Sequence, residues 1–80
     1  MDKHARLLEQ IKKNSKNVDY SDSMKLLELY GFVLINVTGD HFQYKRKGFC
    51  TLPIPRKNPV WREIVKQVLQ TIAEIEEIEN

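Results

Sequence analysis

His41 stands between the turn-forming pair Gly39-Asp40 and the cation run Lys45-Arg46-Lys47, in the stretch GDHFQYKRKGFCT. Histidine is the side chain whose ordinary titration falls nearest to neutrality, so a neutral imidazole can take a proton from a weakly acidic hydroxyl. Cations beside it can hold a phosphate and stabilise negative charge as it develops. Arg56, Lys57 and Lys66 extend the cation run into a basic block, which from Lys45 to Lys66 carries seven Lys or Arg against one acid, Glu63. Such a block is the electrostatic footprint of a polyanion binder. Together these residues suit a phosphodiester held by Lys45, Lys47, Arg56, Lys57 and Lys66, with His41 near a ribose 2′-hydroxyl. The chain offers no Asp, Glu and His cluster spaced for a metal, and its single cysteine, Cys50, makes no cysteine-rich site. The expected chemistry uses neither metal nor cofactor.

The elements that must position these residues follow from hydrophobic spacing. His4, Leu7, Leu8 and Ile11 recur at helical intervals, predicting a helix over 2–14, and a polar link over 15–17 follows. Ser21 is expected to cap a second helix over 22–30, closed by Gly31. The run from Phe32 to Val37 predicts a well-buried first strand, ended by the turn residues 38–40. Residues 41–46 form the second strand, Lys47-Gly48 a tight turn, and 49–54 the third strand, with Pro53 and Pro55 ending it. Asn58 is expected to cap a last helix with Pro59 in its first turn and an apolar stripe of Ile64, Val65, Val68, Leu69, Ile72, Ile75 and Ile78.

That order, α-α-β-β-β-α, predicts an α+β domain: a three-stranded antiparallel sheet with helices on one face. Strand alternation sends Phe42 and Tyr44 toward the helices and leaves His41, Gln43 and Lys45 on the open face, where Thr51 joins them if the hairpin register is regular. Cys50 is expected in the core beside Leu52, His4 on a helix surface, and Trp61 as a lid on the core edge. Eighty residues make one domain with a modest core, and no apolar run approaches the roughly 18 residues of a membrane span. The charged N-terminus MDKHARLLEQIKK lacks the pattern of a secretory signal, which predicts a cytoplasmic protein with no membrane partner.

Four stretches, LLEQIKKNSKNVDYSDSMKLLELYGFVL, GDHFQYK, TLPIPRKNP and IVKQVLQTI, spread a family likeness along the whole chain. They resemble the HicA toxins, small mRNA interferases of bacterial and archaeal toxin-antitoxin systems. The resemblance implies a fold similar to a double-stranded RNA-binding domain over residues 18–80, with 1–17 as the N-terminal helical extension of a longer subfamily. In that family a Gly-Ser-His motif opens the second strand and its histidine is required for cleavage; Gly39 and His41 match it. The implied activity is metal-independent endoribonuclease action on mRNA, and the implied protein partner is a HicB-type antitoxin. The family's serine is Asp40 here, and a carboxylate at that place opposes an incoming phosphate, so the resemblance extends to an attenuated enzyme. The following position, often a second histidine in the family, is Phe42. Two other readings fit the same residues: a non-catalytic RNA-binding domain of this fold, and a protein-docking module.

Overall fold

Residues 3–79 are described by a computed structural model of the chain. Its elements are α1 (Lys3–Lys13), α2 (Tyr20–Leu29), β1 (Val33–Thr38), β2 (His41–Lys45), β3 (Leu52–Pro55) and α3 (Arg62–Glu79), so the domain is α+β with the expected order. The expected first helical position, residue 2, lies outside the described residues. The strands form one antiparallel sheet in the order β1-β2-β3, and α2 and α3 both pack on β3. α1 packs on α2, and its Leu7, Leu8 and Ile11 enter the same core as Leu26, Leu27, Ile54 and Ile72. No described helix is long and apolar enough to cross a membrane.

Helix ends explain several boundaries. α2 is capped two residues earlier than Ser21: the Asp19 carboxylate accepts from the Ser21 backbone N–H at 2.9 Å and from its hydroxyl at 2.8 Å. At the other end, Gly31 has φ of +88°, its N–H donates to the Glu28 carbonyl and the Phe32 N–H donates to the Leu27 carbonyl. These two bonds close a Schellman motif, in which the residue after the glycine packs back on the helix. Phe32 is therefore buried with Leu27 and belongs to the helix end, and β1 starts one residue later.

Asn58 does not cap α3. Its Oδ1 accepts from the Tyr20 backbone N–H at 2.9 Å, so it satisfies the first turn of α2. Val60 is buried and donates its N–H to the Val18 carbonyl at 2.8 Å, which holds the chain extended and delays α3 to Arg62. Val65, Val68, Ile72 and Ile75 make the buried stripe of α3, whereas Ile78 lies past the edge of the sheet and is exposed. Pro55 ends the third strand as its last residue, while Pro53 lies inside it, which an edge strand permits because an outward-facing nitrogen needs no partner.

The largest departure is β1. All six residues are exposed, with Val33, Leu34, Ile35 and Val37 at 63, 42, 57 and 53%. The helices sit over β3 and β2, so the strand expected to be well buried is an edge that nothing covers. Cys50, expected in the core, is also exposed, because β3 starts at Leu52 and leaves it in the connecting loop. His4 is half-buried: its Nε2 lies 2.7 Å from the Leu29 carbonyl oxygen, and its ring meets Tyr30 edge-on at 5.4 Å.

The Asp19 cap carries a pH signature. Hydrogen bonds from the Ser21 backbone N–H, and then from its hydroxyl, hold the carboxyl below its ordinary value of 3.8. A depressed native pKa contributes stability above the unfolded value, and that contribution is lost as pH falls through the native one. Asp19→Asn keeps an acceptor but cannot titrate. The stability difference between wild type and Asp19→Asn should therefore shrink in urea unfolding as pH falls below the ordinary carboxyl value of 3.8, and a difference constant with pH would contradict the cap.

Candidate functional site

β2 is the central strand, and alternation along it builds the site. Tyr44 is completely buried, and Phe42 is half-buried with its ring stacked on Tyr20 at 6.2 Å and 11°. His41, Gln43 and Lys45 occupy the opposite face, as the spacing predicts, and each is half-buried. His41 lies between Thr38 of β1 and Pro55 of β3. Among the described residues, nothing hydrogen-bonds the His41 ring. The neighbouring Asp40 does not bond to it either; the Asp40 carbonyl instead accepts the Arg56 N–H at 2.6 Å.

That backbone bond brings Arg56 and Lys57 to the end of the sheet that carries His41. Both are exposed, and the Lys57 ammonium lies 6.0 Å from the centre of the Trp61 ring. Trp61 is an exposed aromatic surface beside the Lys57 ammonium rather than the lid expected from sequence. A signal for it was present: an aromatic within five residues of Arg56-Lys57 is the interleaving of charge and ring that single-stranded RNA binders use.

The other predicted phosphate ligands do not gather here. Lys45 lies four residues from His41, about 13 Å along a strand, and its ammonium donates to the Phe49 carbonyl. Lys47 is exposed in the turn beyond it. Arg46, the middle cation of the run, serves the fold: it donates to the Tyr30 carbonyl at 2.7 Å, pairs with Glu79 and lies 5.5 Å over the Phe49 ring. Lys66 is on α3, where it lines a shallow groove with Arg62, Glu63 and Ser15. Thr51 precedes β3, and Pro53 and Pro55 occupy the positions opposite Gln43 and His41.

The site is thus a half-exposed patch around His41, with the Arg56 backbone bonded to the residue before it. Gly39 forms its turn at φ of +59°. Among the described residues, no group of three or more His, Cys, Asp or Glu side chains gathers as a metal site would require. Comparison of the chain with family models, curated proteins and solved structures finds no match in any of the three.

Proposed function

We propose that the protein is an endoribonuclease that resembles the HicA toxins and acts on mRNA in the cytoplasm, with His41 as general base. The observation that carries the reading is the unbonded imidazole on the open face of β2, one residue from the backbone link that brings Arg56 and Lys57 alongside. A base must reach its proton without giving up another partner, and this ring has none to give up among the described residues. The imidazole takes the 2′-hydroxyl proton, the 2′-oxygen attacks phosphorus, and the bond to the 5′-oxygen breaks. The products are a 2′,3′-cyclic phosphate and a 5′-hydroxyl, whose proton comes from the imidazolium or from water. Arg56 and Lys57 stabilise the charge on the phosphorane oxygens. A flat site suits this substrate, since an extended RNA strand needs a surface rather than a cavity. The HicB-type antitoxin implied by the same resemblance would cover the histidine face.

A second reading, an RNA-binding domain without cleavage, is favoured by Asp40, whose exposed carboxylate adjoins the histidine and opposes phosphate. Purified protein incubated with RNA in EDTA separates the two. Cleavage that persists and leaves 2′,3′-cyclic phosphate ends supports the base mechanism. Binding without cleavage supports the second reading, and cleavage that requires added magnesium removes the first.

A further inference from the structure

The two edges of the sheet differ in character. On β3, Pro53 and Pro55 lie opposite Gln43 and His41. A proline fits an antiparallel pair only where its nitrogen points away from the neighbouring strand, so both nitrogens face outward and offer that edge no N–H. β1 is unprotected by comparison. Its sequence, VLINVT, contains no proline and no charge, its apolar residues are exposed, and its one irregularity is a bulge between Leu34 and Asn36. Sheet edges without charge, proline or cover are templates for pairing with another strand.

We propose that β1 pairs antiparallel with β1 of a second copy of this chain, giving a two-fold dimer with a continuous sheet in the order β3-β2-β1-β1-β2-β3. The proposal is independent of the catalytic reading. Register is the first argument. A two-fold axis normal to the sheet preserves its faces, so residues set opposite each other must belong to the same face. The bulge at Ile35 makes this possible with apolar partners. Leu34 and Val37 pair with Tyr44 and Phe42 and share the helix-side face, while Val33 and Thr38 pair with Lys45 and His41 and share the open face. Setting Leu34 against Val37 of the copy sets Val33 against Thr38 of the copy, and symmetry repeats both matches.

Charge is the second argument. The strand VLINVT carries no charged residue, so pairing it with its copy brings no like charges together.

Sedimentation velocity of the full chain over about 1 to 100 μM tests the proposal. The expected result is a reversible species of twice the 9.5 kDa chain mass. Val37→Lys sets an ammonium against Leu34 of the copy at both symmetric contacts and should weaken the dimer at least about tenfold. Ile78→Lys, at an exposed apolar residue on α3, should leave it intact. In the wild type, raising the concentration should slow hydrogen exchange of β1 amides, a readout that needs no variant to fold. A monomer throughout the range, an open-ended assembly, unchanged β1 exchange, or a dimer lost with Ile78→Lys and kept with folded Val37→Lys would overturn the proposal.

Discussion

His41→Ala should abolish RNA cleavage, lowering the rate by about 10²- to 10⁴-fold or to background, while leaving the fold intact. The two halves of this expectation rest on separate observations. The loss follows from the ring's position as an unbonded imidazole on the open face, for which alanine offers no proton acceptor. The intact fold follows from the same place in the sheet: His41 is half-buried at the start of β2, and its ring contributes neither a hydrogen bond nor an aromatic contact to the described core. Substitutions at such positions usually change stability by no more than about 0.5 kcal/mol. Because Arg56 and Lys57 would hold the phosphate, kcat should fall far more than KM rises. Growth arrest on induced expression should disappear in parallel. A folded His41→Ala protein that cleaves RNA at the wild-type rate would end the catalytic proposal.

Tyr44→Ala should unfold much of the population or bring the protein close to unfolding. Tyr44 is fully buried in the central strand, and its hydroxyl donates to Glu28 Oε2 at 3.0 Å, joining β2 to α2. Truncating a buried aromatic side chain typically costs about 3–5 kcal/mol. Small domains are stable by roughly 0.05–0.15 kcal/mol per residue, so the loss is a large share of the total in a chain of 80 residues. A fall in Tm of about 15 °C or more is expected, and a shift of only a few degrees would contradict the packing described. Tyr44→Phe keeps the ring and removes the hydroxyl, and should cost about 1 kcal/mol. Burial first, and then the Glu28 hydrogen bond and charge, push the Tyr44 pKa up from 10.0 to about 12. A raised native pKa contributes stability below the unfolded value and loses it as pH rises through the native one. The wild-type advantage over Tyr44→Phe should accordingly decline between pH 10 and pH 12.

Local patterning determined the types and order of the elements, because helix and strand periods are written into the spacing of apolar residues. It also determined which face of β2 each side chain takes, since alternation is a property of the extended backbone: Tyr44 goes inward and His41 outward whatever packs around them. Gly31 as the end of α2 was equally legible, because positive φ is a local demand.

Lateral position was decided only by tertiary structure. An apolar run such as Val33–Val37 reads the same whether the strand is central or at an edge, and the placement of α2 and α3 over β3 leaves it exposed. Partner choice was the second such decision. Asn58 has cap chemistry, but the chain path past Val60 presents it to Tyr20 rather than to α3. The candidate site divides along the same line. His41 and its open face were legible because they depend on one strand, whereas the cations depend on which acceptors folding brings within reach of long, flexible side chains. Lys45 and Arg46 are taken by the carbonyls of Phe49 and Tyr30, and Arg56 is held beside the turn that precedes His41 by a backbone bond to Asp40.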